Sequence, residues 1–152
     1  MIDESYVSCP SDELVCGSGM CVPTFMHGQF DDWSLTPLTA GGTMTRTIEA
    51  YGLATVGMET WASAQIINVV PSSIIVRLQN SAGTLVTLFD GPKLALTDPD
   101  LDSDNYIELS ARASFPGDES ANGTYTLFVE TTAGHPVGEL ANWHLTVTSR
   151  WD

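Results

Sequence analysis

Between Asn122 and Thr148 the chain reads NGTYTLFVETTAGHPVGELANWHLTVT, two alternating runs joined by a turn-rich connection. Tyr125, Leu127 and Val129 fall on one face of the first run, and Trp143, Leu145 and Val147 fall on one face of the second. A period of two is the signature of a half-buried strand, because successive side chains of extended backbone point to opposite sides. Ala133 to Gly138 supplies two glycines and a proline, which allow one extended segment to double back on another. The pair is therefore expected to be two neighbouring strands that close a β-sandwich and commit Tyr125 and Trp143 to its core.

The same pattern recurs upstream. Thr45 to Ala50 is a short alternating run, and Trp61 to Val70 is apolar until Pro71 stops it. Ser73 to Gln79 alternates again. The turn Asn80-Ser81-Ala82-Gly83 then leads into Thr84 to Phe89, which predicts a β-hairpin with glycine where left-handed φ is needed. Tyr106 to Ala113 is a further strand, and no segment has the spacing of an amphipathic helix. With 152 residues, about one domain's worth, the expectation is an all-β protein: a β-sandwich or jelly roll of about eight strands over residues 43–152. Residues 1–42 differ in composition, and Gly41-Gly42 marks the expected boundary of an irregular, cysteine-containing N-terminal extension.

Charge decides which partners are excluded. Nineteen acidic residues face four arginines and Lys93, a net charge of −14. Such a surface repels phosphate backbones and anionic membranes, so no nucleic-acid or membrane partner is expected. No apolar run approaches the roughly 18 residues of a membrane span. Cys9, Cys16 and Cys21 crowd together as in the stapled segments of secreted proteins, so a secreted chain is expected, a mature fragment without its signal peptide. One disulfide among the three leaves a third thiol. The alternative is zinc held by Cys9, Cys16, Cys21 and His27, although these spacings suit the usual short knuckles poorly.

Asp90 to Asn105 is a long acidic connection in which Asp98, Asp100, Asp102 and Asp104 alternate. Hard oxygen donors at every second residue can wrap a calcium ion. The glycine and terminal glutamate of calcium-binding hands are not in register here, and a solvated acidic loop is the other reading. Asp90, Asp118 and Glu119 are further candidate carboxylates for such an ion.

Two resemblances add to this. CPSDELVCGSGMCVP resembles the opening of a low-density-lipoprotein-receptor class A module over residues 9–34, without that module's remaining cysteines. More extensively, Phe115-Pro116-Gly117-Asp118-Glu119, Asn122-Gly123-Thr124-Tyr125-Thr126-Leu127, Gly138-Glu139-Leu140 and Trp143-His144-Leu145 resemble the closing signature of P domains. These P/Homo B modules follow subtilisin-like catalytic domains in proprotein convertases and bacterial proteases. Tyr125 stands for the family's tryptophan and Glu130 for its aspartate. Ile48 to Leu53 and Ser81 to Phe89 look like the family's early strand and hairpin. Ile67 to Ile74 stands where the family carries a histidine-containing strand ending in G-D-L, so that aspartate has no counterpart. The resemblance implies a non-catalytic accessory domain that stabilises, packs against or targets a protease or other secreted enzyme, with calcium as an implied cofactor.

A catalytic reading needs a nucleophile, a base and an orienting group. No serine lies in a nucleophile-elbow context and no H-E-x-x-H occurs. His144 alternates with Trp143 and Leu145, which places it on the outer face. His135 sits in a turn. Asn122-Gly123-Thr124 is a formal N-glycosylation sequon that turn geometry explains equally well. Trp33, Trp61 and Trp151 lie outside the family pattern and, if exposed, would suit the alternative function, a carbohydrate- or cell-surface-binding jelly roll.

Overall fold

The computed structural model describes residues 14–17, 20–23, 25–132 and 137–151. Its strands, in chain order, are β1 (Leu14–Gly17), β2 (Met20–Pro23), β3 (Phe25–Asp32), β4 (Thr36–Pro37), β5 (Thr43–Ala50), β6 (Val56–Ile67), β7 (Ile74–Gln79), β8 (Leu85–Asp90), β9 (Tyr106–Ala113), β10 (Gly123–Thr131) and β11 (Glu139–Arg150). The only described helical pieces are one turn of α-helix, α1 (Gly91–Leu94), and two 3₁₀ turns at Pro71–Ser73 and Leu101–Ser103. The protein is thus an all-β sandwich. One sheet runs β5-β10-β7-β8, and the other runs β3-β11-β6-β9 with β4 on β11. All the strand pairings are antiparallel. β1 and β2 form a separate hairpin whose register sets Cys16 opposite Cys21.

The two strands read from the alternating stretch are β10 and β11, and their inward residues are those expected. Tyr125, Leu127, Val129, Trp143, Leu145 and Val147 are all buried in one core. Their pairing differs from the expectation. β10 lies between β5 and β7, whereas β11 lies between β3 and β6, so the two strands occupy opposite sheets. Each is hydrogen-bonded on both edges within its own sheet, and they meet through side chains rather than through a ladder. A hairpin would leave both apolar stripes on one surface of one sheet; the crossover turns the stripes toward each other and buries both. Residues 133–136 of the connection lie outside the described residues. Gly138, which follows them, is required by close approach: a Cβ there would overlap the carbonyl oxygens of Ile67 and Asn68.

The expected hairpin between β7 and β8 forms. Gly83 has φ of 94°, and the Asn80 side chain accepts from the backbone N–H of Ala82 at 3.1 Å and Thr84 at 2.9 Å. The expected boundary at Gly41-Gly42 does not separate an irregular extension from the sandwich. β3 lies within residues 1–42 and pairs with β11 over eight registered residues, Phe25 against Arg150 through Asp32 against Trp143. Its sequence, FMHGQFDD, holds a glycine, two aspartates and no β-branched residue, so it carries little intrinsic strand signal. The long edge that β11 offers decides its conformation.

Candidate functional site

The carboxylates named from sequence are divided between opposite ends of the sandwich. Asp90 closes β8, and Asp98, Asp100, Asp102 and Asp104 lie on the β8–β9 connection that follows, at the end where β6 leads into β7. Asp118 and Glu119 lie on the β9–β10 connection, at the end of the β7–β8 hairpin. A strand of eight residues, about 26 Å, separates such ends. Most of these groups have internal partners. Asp90 caps α1 by accepting from the Lys93 N–H at 3.1 Å. Asp98 accepts from the Asp100 N–H at 3.0 Å, and the Asp100 carbonyl accepts from the Ser103 N–H and hydroxyl. Asp102 accepts from the Ser72 N–H at 2.8 Å and its hydroxyl at 2.6 Å. Among the described residues no three His, Cys, Asp or Glu side chains converge in the manner of a metal site. Of the alternating aspartates, the Asp98 side chain closes an Asx-type turn and the Asp102 side chain pins the acidic loop to the turn before β7.

Glu119 has a different role. It accepts from Asn80 Nδ2 at 2.7 Å and from the Thr84 hydroxyl at 2.5 Å, which locks the hairpin to the β9–β10 loop. Beside it the Tyr125 hydroxyl donates to the Ala121 carbonyl at 2.7 Å. Burial, with a smaller contribution from the Glu119 charge, pushes the Tyr125 phenol up to about 12. The Asn122 side chain accepts from the Leu53 N–H at 2.9 Å and donates to the carbonyls of Leu53 and Ala54, each at 3.1 Å. The sequon asparagine is thereby a clasp between the β5–β6 loop and the start of β10. The Phe115 to Glu119 and Asn122 to Leu127 segments that resemble the P-domain signature thus meet at one end of the fold and hold its loops together, whereas Gly138 to Leu140 lies at the opposite end, beside Ile67.

The densest polar arrangement is on the outer face of the five-stranded sheet. Asp31 of β3, His144 of β11, Ser63 of β6 and Ser110 of β9 stand in one row across four strands. The neighbouring row holds Asn142, Gln65 and Glu108. His144 Nδ1 lies 2.7 Å from Asp31 Oδ1, and its Nε2 lies 3.0 Å from Asn142 Oδ1. Asn142 Nδ2 donates to Gln65 Oε1 at 3.1 Å, and Gln29 Nε2 donates to Asp31 at 3.2 Å. A cationic imidazole donates to both of its oxygen neighbours, whereas a neutral ring donates to one. The Gln29 bond, then the His144 bond, hold the Asp31 carboxyl below its ordinary value, against a smaller opposing effect of burial. Over this pair the Trp33 ring meets the His144 ring edge-on, with centroids 4.7 Å apart.

Asp32, next in β3, turns the other way and joins the two sheets. It accepts from Trp143 Nε1 at 3.2 Å and from the Ser34 N–H at 3.0 Å, and it forms an ion pair with Arg46 of β5 at 3.0 Å. Partial burial raises its pKa, and the Ser34 and Arg46 bonds outweigh that to leave the carboxyl below its ordinary value. Asp31 and Asp32 carried no motif in the sequence. The signal that could have found them is the pair of adjacent acids closing a run that ends in tryptophan.

His144 lies on the outer face, as its alternation implied, and it is half-buried there. His27 also lies on this sheet, with Nδ1 3.1 Å from the Thr148 hydroxyl. Cys9 and His135 are outside the described residues, as are the side chains of Cys16 and Cys21. Trp33, Trp61 and Trp151 are all exposed.

No protein-family model matches the sequence, and no curated protein matches it. Solved structures do share the fold. A crystal structure of a serine protease of Aeromonas sobria superposes with a TM-score of 0.62 at 15% identity over 85% of this chain. A crystal structure of the Aeromonas sobria serine protease and chaperone complex gives 0.61 at 14% identity over 86% of this chain. In both cases the match spans only 28% of the other chain's length. FLHE gives 0.53 at 14% identity over 82% of this chain and 97% of its own. At these identities the likeness establishes the fold: one sandwich, found as a fraction of a larger protease chain and as nearly the whole of another protein.

Proposed function

We propose that this chain is a non-catalytic accessory domain of a secreted protease, stabilising the catalytic domain by packing against it. The observation that carries the reading is the match of nearly the whole sandwich to a minor fraction of a serine protease chain. It is supported by the in-order likeness of Phe115 to Leu145 to modules that follow subtilisin-like catalytic domains. The surface suited to such packing is the outer face of the β5-β10-β7-β8 sheet. There Phe128 and Ile75 are half-buried and Leu85 is exposed, set among threonines 45, 47, 87 and 126. Arg77 and Glu130, an ion pair at 2.9 Å, stand beside them, and apolar anchors within such a polar rim are what protein interfaces favour.

Calcium enters this reading as an ion that Asp98, Asp100, Asp102 and Asp104 would hold, Asp102 keeping lone pairs for it beyond the bonds it accepts from Ser72. The test of the main proposal is a subtilisin-like catalytic domain encoded with this chain, assayed for thermal inactivation with and without it. The expected result is faster inactivation without the sandwich and no proteolysis by the sandwich alone. Equal inactivation in both preparations overturns the reading.

A further inference from the structure

We propose that the outer face of the five-stranded sheet binds a neutral oligosaccharide. Three aromatic side chains stand on this face with large exposure: Trp33 at 71%, Trp61 at 44% and Tyr106 at 47%. The registers place Trp61 beside Thr146 and Tyr106 beside Ile67. From Trp61 to Ile67 along β6 is six residues, about 20 Å of extended backbone. The outward positions between them are Ser63 and Gln65, flanked by Ser110 and Glu108 on β9. Aromatic platforms thus stand at both ends of a row of hydroxyl, amide and carboxylate groups, with Trp33 and His144 beside it.

This is the chemistry a sugar chain requires. The C–H face of a pyranose ring packs on an aromatic ring, while its hydroxyls need closely spaced donors and acceptors. Serine and amide side chains supply both functions, and the carboxylates supply acceptors for hydroxyl protons. The polar groups are also held before any ligand arrives. Gln65 is tied to Asn142, Asn142 to His144, and His144 to Asp31, while Trp33 rests on the His144 edge. A side chain already ordered loses less entropy on binding.

The face is a poor match for the other macromolecules. Its aromatics are separated by polar groups rather than joined into the apolar centre of a protein interface. Among the described residues its arginines are Arg112 and, at the end of β11, Arg150, its strands carry no lysine, and it lies in a chain of net charge −14, which disfavours polyanionic glycans, nucleic acid and anionic lipid. The proposal is independent of the protease reading, which uses the opposite face.

The test titrates the full 152-residue chain with cellohexaose, chitohexaose, laminarihexaose and maltohexaose, with a heparin hexasaccharide for comparison. Binding is followed by tryptophan fluorescence and calorimetry. At least one neutral hexasaccharide is expected to bind with Kd of about 1 mM or tighter. Trp33→Ala and Trp61→Ala are each expected to weaken it about tenfold, whereas Leu85→Ala on the opposite face leaves it unchanged. Both tryptophans are exposed, so the melting midpoints of these variants report that the fold is intact. Flat titrations with all four neutral sugars, binding of heparin alone, or affinity in both tryptophan variants unchanged from the parent protein would each overturn the proposal. So would tryptophan variants that abolish stabilisation of the protease while the sugar titrations stay flat, since that assigns the face to a protein. Loss of the protease effect in Leu85→Ala with sugar binding retained separates the two readings in the other direction.

Discussion

The two outer faces of the sandwich have the same pleat and the same strand spacing, yet they are finished differently. On the four-stranded sheet the exposed positions are mostly threonine, with Phe128, Ile75 and Leu85 between them and one ion pair, Arg77 to Glu130 at 2.9 Å. On the five-stranded sheet the outward positions form a connected set in which Gln29, Asp31, His144, Asn142 and Gln65 hydrogen-bond in series. The first is a surface whose side chains act singly and favour strand backbone through β-branching. The second is a network, so removing one member leaves its neighbours without partners. The difference teaches where this protein has ordered its polar groups in advance, and such ordering is what recognition of a small polar ligand needs.

The sharpest way to test the contrast is at its rim. Asp32→Ala is expected to destabilise the protein by about 3 kcal/mol in denaturant unfolding, because it strands the buried Trp143 N–H and the part-buried Arg46 together. Glu130→Ala on the other face is expected to cost no more than about 0.5 kcal/mol, since both partners of that pair are substantially exposed. Equal costs would break the comparison.

Tyr125→Phe, in the core that the two sheets share, should cost about 1 kcal/mol at neutral pH through loss of the bond to Ala121. It carries a pH signature as well. A phenol raised to about 12 in the folded protein, against about 10 unfolded, contributes stability that is intact below pH 10 and is lost as pH rises toward 12. The alkaline limb of a stability–pH profile should therefore flatten in the phenylalanine variant.

Asp31 and Asp32 have the opposite sign. Their folded pKa values lie below the ordinary carboxylate value of 3.8, so their contribution is present above about pH 4 and lost as pH falls through the folded values. Asp31→Asn and Asp32→Asn should each weaken the acid limb and leave the alkaline limb unchanged.

The smallest effect concerns the acidic loop. Asp102→Asn is expected to lower stability by about 1 kcal/mol without calcium, through weakened bonding to Ser72. A rise in melting temperature with millimolar calcium that vanishes in Asp100→Asn and Asp102→Asn is the result that would place an ion there.

Much of this architecture is legible in the order of residues. Period-two patterning alone located β5, β7, β9, β10 and β11 closely, and it named the six side chains at the centre of the core. It did so because burial on one face of a strand is a local property that each alternating run declares for itself. The hairpin at Asn80 to Gly83 was legible for a similar reason, since its turn residues act on neighbouring backbone. β3 was not, because its strand character comes from pairing with β11 more than a hundred positions away. The candidate calcium residues were named from spacing along the chain, and spacing takes no account of Ser72, which claims Asp102 from 30 positions away. Nor did spacing show that Asp118 and Glu119 lie at the other end of the molecule.

The sequence by itself determined that this is a β-sandwich and which faces of its strands turn inward, because the hydrophobic pattern offers no other way to bury both stripes. Tertiary structure alone decided that β10 and β11 face each other from opposite sheets. It alone joined Asp31 to His144 across 113 positions and set Trp33 over them. Those groups are adjacent only across strands, and strand order is settled by the summed packing and hydrogen bonding of the whole chain rather than by any local signal.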